Sequence, residues 1–574
     1  ADPSAARSSR RPDLSRLLGR TAISAYRKVP GLGPRATKVG NAAVLALGMI
    51  PGMDSLGQLS LLRIKMKFGS AQKMIEKALL AAAAREKLPR EEIDELSVPS
   101  YGLTDVGILE EVLGETKPAN QITASLIVAG VGDVELRFSK GGKALKSIPA
   151  AVKAEHANTL KELKATQQDL AAMIGAQRDR LDSLFLENKT WDYAIWRERY
   201  LDHPVVGVLA RRLIWRVRTS ASAPWRSVTH LVKLGLCDVQ GRPVEIVEQG
   251  AQVRLWHPIE VDAAEALAWR RFFEDRELRQ PFKQAHREIY LLTDAERRTG
   301  TYSNRYAAHI IKQHQFNALA LVRGWKNKLR LLVDAEYPPA SRTLNAFALR
   351  AEFWIEGMGD DFGEDTNEAG VFKHLATDQV RFSAIDVATT GARAGGHHRD
   401  HPDIEINHPI PLDRIPPLAF SEIMRDVDLF VGVCSVGNNA QWQDGGPEGA
   451  FRDYWWEYGF GELTQSGDQR RELLERLIPR LAIAPRCSFS GKFLIVKGDL
   501  RTYKVHLGSG NILMEPDGQY LCIVPGTPRG ADTTTRFLPF EGDRILSIIL
   551  SKAMMLAADT KITDTSIMWQ IRGR

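Results

Sequence analysis

The sequence predicts an α+β protein. A helical N-terminal part, either a bundle or a short solenoid with a long helical arm, precedes a mixed α/β region and a β-rich C-terminal unit with a buried helix. Three observations carry this. Leu160, Leu163, Leu170, Ile174, Leu181 and Leu184 keep a seven-residue rhythm, the mark of a long helix with one apolar seam. Phe347, Leu349, Ala351, Phe353 and Ile355 alternate strictly, as a strand with one buried face does. Beyond residue 481, short alternating runs are separated by Gly508-Ser509-Gly510 and Pro516-Asp517-Gly518, which are hairpin turns. Boundaries are expected at 1–150 (helical, with a basic arm), 151–220 (helical arm), 221–480 (mixed α/β) and 481–574 (hairpins plus helix).

In chain order, the basic opening from Arg7 to Lys38 faces only Asp13 as a nearby acid. It reads as a solvated first helix over 14–28, or as an arm for nucleic acid or an acidic partner. Leu61, Ile64 and Phe68 have helical spacing, whereas Leu62, Ile64, Met66 and Phe68 alternate with Arg63, Lys65 and Lys67 like a strand. Met74, Ile75, Leu79 and Leu80 are helical, and Pro89 marks another helix start. Val134, Leu136 and Phe138 predict a short strand before Gly141-Gly142. After the long helix, helices are expected over 191–200 and 205–217. Strands are expected at 289–292, 329–333, 380–382 and 429–433, the last after a helix ending near Arg425. Thr293-Asp294-Ala295-Glu296 has capping-box spacing. The helix over 544–557 is apolar on nearly every side, so it should be buried.

Composition narrows the function classes. Lysine plus arginine (77) exceed aspartate plus glutamate (70) by only seven over 574 residues, too little for a dedicated nucleic-acid coat. Cys237, Cys434, Cys487 and Cys522 form no C-x-x-C pair, so reduced, buried thiols in a cytoplasmic protein are expected. The uncharged stretch over 39–53 is too short to cross a bilayer, and no signal-peptide core follows the first arginines, so no membrane partner is expected. Walker, Rossmann, G-x-S-x-G, H-E-x-x-H and kinase patterns are missing from the sequence.

One segment concentrates chemistry. Arg305 and His309 lie four apart on an expected helix and share its face, with Glu288 upstream, as a candidate catalytic trio. Lys283, Gln284, Arg287, Asn304 and Gln313 would hold an anionic ligand there. The competing reading is a buried polar network that fixes the domain. Arg211, Arg212, Trp215 and Arg216 interleave aromatic and basic groups and would suit nucleic acid, or else line a core face with snorkelling arginines. His397, His398, His401 and His408, with Asp400, Asp403 and Glu405, could ligate metal but sit in a glycine-led loop. The acidic run from Glu356 to Glu368 lacks calcium-loop order. Both are read as solvated loops. Neither a metal site nor a cofactor is predicted. His506-Leu507-Gly508-Ser509 is read as a plain hairpin turn.

Several longer strings carry a family resemblance. They include Leu209-Ala210-Arg211-Arg212-Leu213-Ile214-Trp215, Gln280-Pro281-Phe282-Lys283-Gln284, Ser303-Asn304-Arg305-Tyr306, Ala376-Thr377-Asp378-Gln379-Val380-Arg381-Phe382, Arg425-Asp426-Val427-Asp428-Leu429-Phe430, Trp442-Gln443-Asp444-Gly445-Gly446 and Tyr503-Lys504-Val505-His506-Leu507-Gly508-Ser509-Gly510-Asn511-Ile512. Together the chain resembles the large bacterial proteins often labelled molybdate metabolism regulator-like. The resemblance implies partners of the AAA-type ATPase and von Willebrand A-type kinds, and no particular chemistry. Three functions therefore compete. The first is a scaffold or regulatory component that senses a ligand or partner. The second is an enzyme on an anionic substrate, and the third a nucleic-acid binder.

Overall fold

The computed structural model describes residues 14–29, 33–66, 69–88, 92–114, 121–331, 336–388, 392–393, 409–438, 449, 451–523, 538–540 and 542–572. The architecture is α+β, with helices at the N-terminus and β-rich sheets towards the C-terminus. The chain forms two compact units. One comprises Ala1–Asp182, Thr190–Trp256 and Leu278–Phe282; the other comprises Ser183–Lys189, His257–Glu277 and Lys283–Arg574.

The first unit opens with four packed helices, α1 (Leu14–Tyr26), α2 (Thr37–Met49), α3 (Met53–Lys65) and α4 (Gly69–Arg85). Ala22, Val44, Leu47, Leu56, Leu59, Ile75 and Leu79 fill their core. Gly40 is needed for the approach of α2 to α1, because a Cβ there would lie 2.7 Å from the Tyr26 ring. The ambiguous stretch after Leu61 is helical as far as Lys65.

Residues 108–145 correct the expectation of helical hairpins closed by one strand. They form a four-stranded antiparallel meander, β1 (Ile108–Leu113), β2 (Ile122–Gly130), β3 (Asp133–Lys140) and β4 (Lys143–Leu145). The β-branched content of β2 and tight turns with Gly132, Gly141 and Gly142 at positive φ favour hairpins. The long helix α5 (Ala157–Ser183) buries Leu160, Leu163, Leu170, Ile174 and Leu181, and Gln177 in a polar gap of the rhythm is buried with them.

A five-stranded sheet follows, with β5 (Thr190–Asp192), β6 (Trp215–Arg218), β7 (Arg226–Leu231), β8 (Gly235–Cys237) and β9 (Gln252–Leu255) in the order β8-β7-β6-β9-β5. The helices expected over 191–200 and 205–217 are therefore broken. Thr190–Asp192 is a strand, Tyr193–Trp196 is one α turn continued by a π turn at Arg197–Leu201, and only Gly207–Ala210 is helical in the second segment. Tertiary packing overrides local periodicity here, because Trp191, Trp196, Tyr200 and Trp215 converge with ring centroids 5.0–6.1 Å apart. Buried Glu95 anchors that cluster, accepting from Trp191 Nε1 (3.1 Å), Tyr200 Oη (2.9 Å) and Arg199 (3.1 Å).

The second unit contains α6 (Ala263–Asp275) and a sheet built from β10 (Tyr302–Ser303), β11 (Ile310–Lys312), β12 (Ala340–Leu344), β13 (Leu349–Gly357) and β14 (His374–Ala384). Strand β14 pairs with β13, β10 and β11, and β13 pairs with β12. The strand expected at 380–382 lies within β14. The alternation in β13 predicts one buried face, yet Leu349–Ile355 is buried throughout. Its polar members make this tolerable, because Arg350 Nε donates to Glu352 at 2.9 Å inside the fold.

No strand forms at 289–292 or 329–331. The strand expected at 429–433 is part of a helix, α8 (Pro417–Cys434). A five-residue apolar run fits either structure, and Pro417 in the first turn nucleates the helix that absorbs it. Helix α7 (Gln313–Val322) contributes Phe316, which packs with Phe353, Phe430 and Trp325 around α8.

The C-terminal part carries α9 (Arg452–Phe460) and α10 (Gln465–Leu477). They precede a sequential antiparallel sheet of β15 (Cys487–Ser490), β16 (Phe493–Lys497), β17 (Thr502–His506), β18 (Ile512–Met514) and β19 (Gln519–Leu521). The predicted turns at 508–510 and 516–518 join these strands. The apolar helix α11 (Arg544–Leu556) covers this sheet with Leu546, Ile549, Leu550, Ala553 and Leu556. It is one-sided rather than central, since Arg544, Ser547 and Ser551 are exposed. Helix α12 (Thr565–Arg572) ends the described chain.

Asp559 ties the β16–β17 turn to the end of this module. It is fully buried and accepts from the amides of Asp499 (2.9 Å), Leu500 (3.0 Å) and Arg501 (3.3 Å) and from Tyr503 Oη (2.8 Å). Asp559→Ala orphans these donors and is expected to cost roughly 3 kcal/mol. Urea unfolding followed at the C-terminal module checks this, and a cost below about 1 kcal/mol would contradict it.

Candidate functional site

Residues 283–292 run as irregular chain along one polar stripe of α8. Ser421, Glu422, Arg425 and Asp428 recur at helical spacing and face it. Tyr290 N donates to Ser421 Oγ (3.0 Å), and its hydroxyl donates to Asp428 (2.5 Å). These side-chain partners replace the strand ladder that Ile289–Leu292 was expected to join.

Arg287 is completely buried and binds Glu422 through Nε (2.7 Å) and a terminal nitrogen (2.5 Å). Its guanidinium lies 4.1 Å from the Phe185 ring centre. His257 Nδ1 accepts from Ile259 N, so its Nε2–H donates to Glu422 Oε1 at 3.1 Å. Burial would raise the Glu422 carboxyl, but Arg287 and His257 outweigh it and hold it far below the usual range.

Glu288 lies between Lys283 Nζ (2.6 Å) and Arg425 Nε (3.1 Å). Burial again opposes its charge, and the two cations still hold it at about 2. Lys283 also binds Asp543 (2.8 Å), which pairs with Arg470 (3.2 Å) and caps α11 through Leu546 N (2.9 Å). Beside them, burial raises the Asp428 carboxyl, Tyr290's hydrogen bond lowers it and the Glu288 charge raises it; the net shift is upward.

A second cluster joins buried Glu274 to buried His286 Nε2 (2.8 Å) and to the partly exposed Arg476 (3.1 Å). Burial pushes His286 down to about 4 against the pull of Glu274, so it is neutral, with Nε2–H donating. Its Nδ1 is buried without a partner. A third hub is Asp426, which accepts from Arg323 (2.7 Å), Trp325 Nε1 (2.8 Å) and Arg342 (2.6 Å).

The other expected residues disperse. The helix expected around Ser303 is instead the short strand β10, a turn, and the strand β11, so Arg305 and His309 do not share a helical face. Arg305 reaches back to Glu296 (2.6 Å) and the Leu291 carbonyl (2.8 Å). Glu296 is the acid of the capping box on Thr293, which forms as its spacing predicts. Asn304 is exposed, and its carbonyl accepts from Ala307 N. Gln284 is fully buried. Gln313 bridges backbone, donating to Leu329 O (2.8 Å) and accepting from Phe372 N (2.7 Å).

His309 follows Ala308, a non-glycine residue at φ +61°, and Thr377 pins its backbone through both N–H and C=O. Its Nδ1 lies 3.2 Å from Tyr454 Oη, which lies 2.9 Å from Ser435 Oγ. Burial lowers the His309 pKa, which keeps the ring neutral. A neutral imidazole linked to two hydroxyls can pass a proton along that chain. Tyr454 and Ser435 lie 145 and 126 residues from His309, and no local spacing points to them. The same holds for Glu274 with Arg476.

The expected nucleic-acid set lies within the first unit. Trp215 is fully buried, donates Nε1–H to Ala210 O (2.9 Å) and offers no ring face to a base. Arg211 binds Leu201 O (2.9 Å), and Arg212 binds Val208 O (2.9 Å). Arg216 sits on β6 in register with Arg254 of β9. Trp225, which the sequence did not single out, has Arg218 and Arg254 at 4.5 and 4.7 Å from its ring.

Among the described residues, one group of acids could approach a cation. Asp360, Asp361 and Asp365 each offer an oxygen within 4.8 Å of the others on a largely exposed loop. Asp365 already accepts from Asp361 N (3.1 Å), so the cluster forms an ordinary acidic turn. The histidines 397–408 lie outside the described residues.

Comparison with known proteins gives two family matches. Residues 142–325 are similar to a domain of unknown function, DUF4132, and residues 467–571 to another, DUF7737. The uncharacterized protein YehI of Escherichia coli (strain K12) is 25% identical over 222 residues, which is 38% of this chain. No solved structure matches the chain. The chain spans 18% of the length of YehI.

Proposed function

We propose that the protein is a cytoplasmic scaffold or regulatory component of a multi-protein bacterial system, responding to a ligand or a protein partner. One observation carries this reading. Lys283, Arg287, Glu288 and Arg305, the charges that would have bound and turned over an anion, are each neutralised by the chain's own groups. A substrate anion would have to displace buried carboxylates from Arg287 and Lys283, at a cost of several kcal/mol. The resemblance to molybdate metabolism regulator-like proteins supports partners of the AAA-type ATPase and von Willebrand A-type kinds.

The test is native mass spectrometry of the untagged protein from its own host. Recovery with another polypeptide is expected. A clean apo mass, or a bound metabolite lost in Arg305→Ala, would overturn the reading. Charge reversal on the exposed side of α5, Lys161→Glu with Lys164→Glu, is expected to weaken partner capture while leaving the melting temperature within about 2 °C.

A second reading, an enzyme on an anionic substrate, rests on the His309–Tyr454–Ser435 chain. It predicts that His309→Gln and Tyr454→Phe each abolish host function at unchanged melting temperature. Loss of fold in both would count against it.

A further inference from the structure

Helix α2 is apolar on two opposite sides. One side, with Gly40, Ala43, Val44 and Leu47, is buried in the four-helix core. The other exposes Ala42, Leu45 (50%) and Met49 (73%), with Val39 (51%) on its flank; Met53 (45%) is exposed at the start of α3. The i, i+3, i+7 spacing of Ala42, Leu45 and Met49 places them on one ridge, about 10 Å long. A globular helix of this kind turns a polar face to water, and scattered single apolar residues would not form a line.

The stretch of chain that carries the ridge is one-signed. No acidic residue occurs between Leu14 and Met53. Arg27, Arg35 and Lys38 are exposed at the end where α2 begins, and that helix terminus is itself electropositive. At the other end Arg85 covers the carbonyls of Gly48 (2.6 Å) and Ile50 (2.8 Å). Glu86, partly exposed, accepts from Gly52 N (2.9 Å) at that end, and Asp54 is exposed beyond it.

We infer that this ridge docks an acidic amphipathic helix of a partner protein, laid along α2 as a fifth helix of the bundle. Apolar residues at i, i+3/i+4 and i+7 of the partner cover Ala42, Leu45 and Met49, and its Asp or Glu side chains meet Arg27, Arg35 and Lys38. The inference rests on the scaffold reading and names the partner's chemistry.

The experiment uses the full chain and two synthetic 18-residue helical peptides with the same leucine face, one with a glutamate polar face and one with a lysine polar face. Fluorescence anisotropy is expected to show binding of the acidic peptide and at least about tenfold weaker binding of the basic one. Leu45→Glu with Met49→Glu, both on the exposed side, should reduce acidic-peptide binding at least about tenfold with the fold intact. Arg35→Glu with Lys38→Glu should also weaken it and flatten its salt dependence.

Three results would overturn the inference. They are equal binding or no binding of both peptides, self-association of the chain lost in Leu45→Glu, or preferential binding to phosphatidylglycerol vesicles. Host purification of the Leu45→Glu/Met49→Glu chain separates the two levels. If polypeptide partners are retained without peptide binding, the docking ridge falls and the scaffold reading stands. If no polypeptide accompanies even the wild-type chain, the scaffold reading falls.

Discussion

Arg287→Ala is expected to destabilise the second unit by about 3–5 kcal/mol, because it strands a carboxylate in the interior. Glu422 would keep only neutral His257 as a partner. Arg287→Lys keeps the charge but loses the bidentate geometry and the guanidinium contact with Phe185, so an intermediate loss is expected. Removing both charges, as Arg287→Met with Glu422→Leu, should recover much of the loss, since desolvation of two ions is then avoided. Urea unfolding with an unchanged m-value is the measurement. If the single alanine variant costs under about 1 kcal/mol, the pair is not the organising contact described here.

Acid should unfold the second unit in two stages. His286 is held neutral with a pKa of about 4, below its ordinary 6.5, so the unfolded chain takes up a proton that the folded one refuses. Stability therefore declines as pH falls from about 6.5 to 4, by roughly 3 kcal/mol for this group. His506, buried and also at about 4, adds to the same stage. Glu288 is depressed to about 2, so its contribution is complete above about 4.5 and disappears as pH falls towards 2. Glu422 and Asp543, whose pKa values are also depressed, lose their contributions over that acidic range. Asp428, raised by burial, opposes the trend. Melting temperature against pH should be flat from 7 to 8, fall below 6.5 and steepen below 4.5. His286→Gln with His506→Gln should shrink the upper stage alone, leaving the part that His257 and His309, also lowered by burial, contribute. An unchanged upper stage would show that these histidines are not held neutral.

Where the pattern was long or strongly periodic, the sequence was informative. The heptad-like seam of α5 appears with its expected leucines buried, and the C-terminal strands and both of their turns lie where alternation and turn residues put them. The capping box on Thr293 forms as spacing predicts. Short runs misled. Leu429–Val433 had strand composition but continues a helix, and 205–217 had helical spacing but contributes β6. The polar density around 280–315 was visible, but its meaning was not. Its partners, Glu422, Arg425, Asp543 and Tyr454, are more than 100 residues away.

The sequence by itself determined the α+β class, the long helix, the terminal hairpins and the candidate polar segment, because these depend on local periodicity and turn chemistry. Only the tertiary structure decided that Arg287 and Glu288 are spent on carboxylate and cation partners inside the protein, that Trp215 is core, and that α2 turns a second apolar side outward. Burial and ion pairing are properties of what the chain brings together, and spacing along it does not encode them.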